Sequence, residues 1–267
     1  MIIVQISDTH LTLGTPDVDR RICDFALTIA DINALEPPPD AIVHTGDIVH
    51  NGRRDEYAQA AALLAKAQAP VYVLPGNKDD RANLRAAFSK QTYLASTSEF
   101  IDYAIEDHPV RLIALDTLKP GRNRGDFSPE QARRLLQWID AEPDKPIAVF
   151  THHPPFEVTV GPDRFHFETM KSMALLRDAL QGGSLPRSAA MFTAPLPDGS
   201  EPSPRAWCRA SRQTCARANI RRRCRRARSI TCTGSIRFGV LSLRAGWSEC
   251  KDREPPRKIT LRFRPRP

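Results

Sequence analysis

The chain has 267 residues, enough for one large domain or two small ones, and its apolar fraction of 41% is ordinary for a globular protein. No apolar run approaches the ~18 residues of a membrane-spanning helix, and residues 1–5 read as a strand, not a secretory leader, so a cytoplasmic bacterial-type enzyme is the expectation. The formal charge of +8 divides unevenly: residues 185–267 hold 20 Lys and Arg against 5 Asp and Glu, a net of +15, which leaves 19 basic and 26 acidic residues, a net of −7, in residues 1–184.

In chain order, residues 2–6 are apolar and β-branched and lead into Asp8. Residues 17–35 have helical spacing, with Ile22, Phe25, Ile29 and Ile32 on one face and Pro37-Pro38-Pro39 as the stop. A short strand at 41–43 leads into Gly46-Asp47, an alanine-rich helix follows at 55–67, and a strand at 71–74 leads into Gly76-Asn77. A helix over 80–88 precedes two neighbouring antiparallel strands at 100–104 and 110–116. Ser128-Pro129-Glu130-Gln131 has the chemistry of a helix start: serine as cap, proline at the first position, an acid next. A strand at 147–150 leads into His152, and a last helix spans 169–180 before Gly182-Gly183. Strand–helix alternation predicts an α/β fold with a largely parallel sheet and a hairpin added near the middle. After Ser184 the pattern fails, and 239–243 is the only plausible strand of the tail. Five of the six cysteines, Cys208, Cys215, Cys224, Cys232 and Cys250, lie in that tail at spacings that match no paired zinc pattern.

Four strands thus end in side chains that bind cations, and strand ends in an α/β fold converge on one sheet edge. Asp8 and His10 combine a hard carboxylate with an imidazole, which suits Mn, Fe or Zn. Asp47 follows a glycine, and one carboxylate can bridge two cations; Asn77 offers a neutral amide oxygen and His152 a further imidazole. Two cations ~3.5–4 Å apart can activate a water and clamp phosphate oxygens. Singly, Asp-X-His, Gly-Asp, Gly-Asn and His-His-Pro-Pro are ordinary turn or loop features. Their joint order, each after a strand, is what carries the reading. His44 lies on a strand and reads as structural, Asp116 ends a strand, and loops 118–126 and 156–167 are expected to shape the pocket.

The segments Ser7-Asp8-Thr9-His10, Thr45-Gly46-Asp47, Leu74-Pro75-Gly76-Asn77 and Thr151-His152-His153-Pro154-Pro155 resemble the calcineurin-like metallophosphoesterase superfamily. Asn51-Gly52-Arg53-Arg54-Asp55-Glu56-Tyr57, Gly76-Asn77-Lys78-Asp79-Asp80-Arg81 and Gly125-Asp126-Phe127-Ser128-Pro129-Glu130-Gln131 are similar to its class III cyclic-nucleotide phosphodiesterase branch. The resemblance covers residues 1–184 and implies a four-layer α/β/β/α sandwich of the metallo-dependent phosphatase type, with the C-terminal part incomplete or disordered. It implies two divalent ions (Mn, Fe or Zn), one held by Asp8, His10 and Asp47, the other by Asp47, Asn77 and His152. His10, Asp47, Asn77, Lys78 and His153 would meet the substrate, with Asn77 and Lys78 in catalytic roles and His153 orienting the loop or the substrate. The implied reaction is hydrolysis of a small phosphodiester, foremost a 3',5'-cyclic nucleotide such as cAMP, with glycerophosphodiesters or phosphomonoesters as the alternative.

The chain departs from that pattern in three places. Lys78 stands where the family usually has a histidine that helps protonate the leaving group, and an ammonium is a poorer proton donor near neutral pH. His50 stands where the family often has Asp and reads as a solvated loop histidine. The closing Gly-His-X-His, one imidazole per metal, is absent from the chain, whose last histidine is His166. The codons allowed for Ala189-Ala190-Met191-Phe192-Thr193 include GCG GCC ATG TTC ACC, and reading from the last base of the first gives Gly-His-Val-His. Residues 185–267 therefore read as a basic tail translated out of frame, with impaired activity as the consequence. Two other classes compete: a catalytically silent relative, and a protein whose basic tail attracts nucleic acid non-specifically. Oligomeric state is not legible.

Overall fold

The computed structural model describes residues 1–157, 159–160, 163–164, 166–182, 189–192, 230–235, 238–244 and 259–260. The arginine runs at 221–226, on which the nucleic-acid reading rests, lie outside the described residues.

The buried strand β1 (Ile2–Ser7) opens the chain and is followed by helix α1 (Val18–Asn33), which buries Phe25, Ile29 and Ile32 as the apolar spacing predicts. Each such side chain contributes roughly 1.5–3 kcal/mol when fully buried. After the short β2 (Leu35–Glu36) come β3 (Ala41–His44), α2 (Arg54–Leu64), β4 (Val71–Val73) and α3 (Arg81–Ala87). β3 runs parallel to β1, with Ile3 opposite Ala41, and β4 runs parallel to β3, with Ile42 opposite Val71.

The expected middle hairpin is β5 (Tyr103–Ile105) against β6 (Arg111–Leu115), antiparallel. Helix α4 (Pro129–Ala141) begins where its sequence says: the Ser128 hydroxyl accepts the Gln131 N–H at 3.2 Å, and the Gln131 side chain accepts the Ser128 N–H at 3.0 Å. Strand β7 (Ile147–Thr151) lies parallel to β6; the short pair β8 (Thr159–Val160) and β9 (Asp163–Arg164) and helix α5 (Met170–Gly182) follow.

Alternation along the strands sets the layers. Leu112 and Ala114 of β6 and Ala148 and Phe150 of β7 share a core with β1, β3 and α1. Their neighbours Ile113, Leu115, Ile147 and Val149 point the other way, into a core with Leu135 and Ile139 of α4 and Leu176 of α5. The order is α1–α3, first sheet, second sheet, α4–α5, the four-layer sandwich.

The tail departs from expectation. Among the described residues, four strands follow residue 184: β10 (Ala189–Phe192), β11 (Ile230–Ser235), β12 (Phe238–Arg244) and β13 (Ile259–Thr260). β10 joins the second sheet parallel to β7, β12 joins the first parallel to β1, and β11 pairs antiparallel with β12. Only the span within β12 carried a readable apolar pattern. Ala189-Ala190-Met191-Phe192 is too short, and residues 230–235 too polar, to declare themselves as strands without their neighbours.

Candidate metal centre

β1, β3, β4 and β7 end at the same edge of their sheets, and each delivers the residues singled out in the sequence: Asp8 and His10, Asp47, Asn77, and His152. The first two loops are zipped by backbone bonds. Asp8 N–H donates to Gly46 O at 3.0 Å, His10 N–H to Asp47 O at 2.9 Å and Leu11 N–H to Ile48 O at 3.0 Å. Asp8, His10 and Asp47 all sit in the left-handed region, at φ +55°, +42° and +50°. For residues with a Cβ this costs about 1–2 kcal/mol each, and such strain concentrates where side chains must be aimed.

Asp47 is the centre of the arrangement. Its Oδ2 lies 3.6 Å from His10 Nε2 on one side, and its Oδ1 lies 3.6 Å from His152 Nε2 on the other. Ligand atoms of Asp8, His10 and Asp47 all fall within 4.8 Å of one another. His152 Nε2 is also 3.1 Å from Asn77 Oδ1, while its Nδ1–H donates to Thr45 O at 2.8 Å. That second bond aims Nε2 into the site, as ligating histidines require. The approach is close because two glycines stack: a Cβ on Gly46 would sit 2.4 Å from Gly76 N, and one on Gly76 would sit 2.3 Å from Asp47 Oδ1.

The donor set fits divalent cations. Asp8 Oδ2 is buried and makes no hydrogen bond among the described residues. Burial alone would raise the Asp8 carboxyl, yet the His10 and His152 imidazoles outweigh it and hold it down at about 2, in the anionic form a cation needs. Burial likewise opposes charge on His152, but Asp47 and Asp8 outweigh it and raise that imidazole. A cation between these groups would take the place of the Nε2 proton.

Asp79 is a member the sequence reading passed over. Its carboxylate accepts N–H groups of Ile48 at 3.2 Å, Val49 at 3.3 Å and Gly76 at 2.9 Å, and the Tyr57 hydroxyl at 2.8 Å. It therefore clamps the Asp47 loop to the Asn77 loop. Burial, with Asp47 adding, pushes it up to about 6. The available signal was an acid two residues beyond Asn77, which spacing alone does not separate from a surface turn.

The other candidate residues divide. Lys78 N–H donates to Asp47 Oδ1 at 2.8 Å, and its ammonium lies 3.3 Å from Asn123 Oδ1, so loop 118–126 reaches the site as expected. His153 does not lie at the opening. Its ring is buried, stacks edge-on against His152 at 4.7 Å, bonds Thr117 Oγ1 at 2.8 Å and lies where a Cβ on Gly125 would be 2.8 Å away. It fastens loop 117–125, because the absent Gly125 side chain leaves room only there. His50 is exposed, but its ring also meets His10 edge-on at 5.6 Å, closer to the centre than a solvated loop histidine. Asp116 holds Arg81 through two bonds of 2.6 and 3.0 Å, anchoring the start of α3. Loop 156–167 lies only partly within the described residues.

The chain aligns with a probable glycerophosphodiester phosphodiesterase of Arcobacter nitrofigilis at 34% identity over 166 residues, 60% of this chain and 59% of the relative. A glycerophosphodiester phosphodiesterase of Enterobacter lignolyticus is 35% identical over 162 residues, 58% of this chain and 57% of the relative. A cAMP/cGMP dual specificity phosphodiesterase of Mycobacterium tuberculosis is 31% identical over 169 residues, 58% of this chain and 50% of the relative. The chain thus spans between half and three fifths of the length of these curated relatives. Residues 1–178, which carry all the ligand loops described above, match the family model for calcineurin-like phosphoesterases, and the chain belongs to that family.

Proposed function

We propose that this chain is a metal-dependent phosphodiesterase. The observation that carries the reading is the Asp47 carboxylate, one oxygen facing the His10 imidazole and the other the His152 imidazole, each at 3.6 Å. Asp8, His10 and Asp47 would hold one divalent ion, and Asp47, Asn77 and His152 the other. Bound there, Mn, Fe or Zn would supply Lewis acidity and a nucleophilic water. The protein's own part is orientation. The Thr45 carbonyl sets His152, Asp79 holds the two glycine loops together, and Lys78 offers positive charge to a phosphate oxygen.

The substrate we favour is a 3',5'-cyclic nucleotide such as cAMP, supported by relatives named for that activity. A glycerophosphodiester is the second reading, supported by relatives of higher identity. The missing Gly-His-X-His removes one imidazole per metal, so turnover is reduced; losing even an outer partner of a metal ligand costs ~10–100-fold. A cytoplasmic location is part of this reading; no described helix is long and apolar enough to cross a membrane.

The test is metal analysis with assays on cAMP, a glycerophosphodiester and bis(p-nitrophenyl) phosphate, alongside a version in the restored reading frame. Two bound divalent ions, metal-dependent hydrolysis and its loss in Asp47→Asn support the proposal. Metal-free protein without turnover in either version refutes it and leaves the silent-relative reading. Sequencing the source DNA decides the frame: codons incompatible with Gly-His-Val-His at 189–193 exclude the shift.

A further inference from the structure

A directional relay of hydrogen bonds runs behind the candidate metal centre. His44 closes β3 and is fully buried, three residues before Asp47. Its Nδ1 accepts the Gly46 N–H at 3.3 Å, which places the ring proton on Nε2. Nε2–H then donates to Thr9 Oγ1 at 2.9 Å, and the Thr9 hydroxyl donates in turn to Ile48 O at 2.9 Å. The direction of each bond is thereby fixed. Burial favours the same neutral ring by pushing the His44 imidazole down to about 3.

The relay's position is what gives it meaning. Thr9 lies between Asp8 and His10, and its two partners lie on either side of Asp47. The candidate ligands on these two loops, Asp8, His10 and Asp47, are held at positive φ, a conformation that their own side chains disfavour. The three backbone bonds between the loops would survive a change of register at a side chain, whereas the relay fixes the loops by an interaction specific to His44 and Thr9. A buried strand position opposite Phe25 is otherwise a place for an aliphatic residue; here the ring edge meets Phe25 at 6.1 Å and both nitrogens are spent on the two loops.

We infer that His44, acting through Thr9, is a positioning residue for the cation pair: it keeps Asp8, His10 and Asp47 converged and has no contact with substrate. This rests on the metal-dependent reading above. The experiment is Mn2+ binding by equilibrium dialysis and calorimetry to the full chain, in the wild type, Thr9→Val, Thr9→Ser and His44→Leu. Urea unfolding of each protein without metal runs in parallel, and Ile139→Val serves as a destabilising substitution in the other core, between the second sheet and α4–α5. Thr9→Val and His44→Leu should weaken Mn2+ binding about 10–100-fold, the range typical of partners behind a metal ligand, while Thr9→Ser stays within about threefold. If Thr9→Val does not fold, Thr9→Ala, which leaves space instead of a misplaced methyl, is measured in its place. Unchanged affinity in the valine or alanine variant overturns the inference and leaves the metal reading standing. An equal loss in Ile139→Val overturns it as well, since the effect is then general destabilisation. Absence of Mn2+ binding by the wild type overturns both.

Discussion

Replacing Gly76 by alanine isolates the close approach on which the site depends. Gly76 is not held at positive φ, so the cost of a methyl there is one of space. Its Cβ would lie 2.3 Å from Asp47 Oδ1, 2.4 Å from Asp47 N and 2.8 Å from His152 Cε1, where ordinary contacts need about 3.4 Å or more. Two of these atoms belong to Asp47, one of them backbone, so the loop must retreat by roughly 1 Å. Overpacking of this kind costs about 1–3 kcal/mol. Metal-ligand distances tolerate only about 0.2 Å, so the larger effect falls on binding. Gly76→Ala should lose about 2 kcal/mol in urea unfolding and weaken Mn2+ binding at least ~100-fold. Gly121→Ala is the matched control. At φ +72° with nothing within 4 Å, it should lose about 1 kcal/mol and bind Mn2+ as the wild type does. Wild-type Mn2+ affinity in Gly76→Ala, or an equal loss in Gly121→Ala, would refute the reasoning.

Three further outcomes are expected. Burial, with Asp116 adding, pushes the Asp102 carboxyl up to about 7 from its ordinary 3.8. The folded state therefore keeps a proton that the unfolded state releases, and stability falls as pH rises from about 4 through 7, by at most ~4 kcal/mol from this group. Asp102→Asn retains an acceptor for the Asp116 N–H at 2.7 Å, and should gain stability relative to wild type by about 1–3 kcal/mol more at pH 8 than at pH 5; an equal difference at both pH values counts against this. Lys78→His should raise kcat/KM for cAMP about tenfold or more relative to bis(p-nitrophenyl) phosphate, whose leaving group needs no proton, and a uniform change would contradict the reading that lysine at this position limits protonation of the leaving group. Ser128→Ala removes the cap of α4 and should cost about 1 kcal/mol in urea unfolding with Mn2+ binding unchanged.

The ligand loops were legible because each follows a short apolar strand and begins with a residue type whose chemistry is its own: a carboxylate, an imidazole, an amide after glycine. The α4 start was legible for the same local reason, since a serine cap and a glutamine three residues on bond each other without help from the rest of the chain. Asp79 was not, because its four donors come from Ile48, Val49, Tyr57 and Gly76, and only folding brings them to one carboxylate. The partners of His153 were not legible for the same reason: Thr117 and Gly125, which enclose it, lie 36 and 28 positions away.

By itself the sequence determined the alternation of strands and helices, the identity of the candidate cation ligands and the order in which they appear, since these depend on local spacing and on the chemistry of single residues. Only the tertiary structure decided that Asp47 stands between two imidazoles, that three candidate ligands share a left-handed backbone, and that strands from the tail join both sheets. Such relations join residues tens of positions apart, and their free energy is realised when packing closes the loops, so no local pattern can carry them.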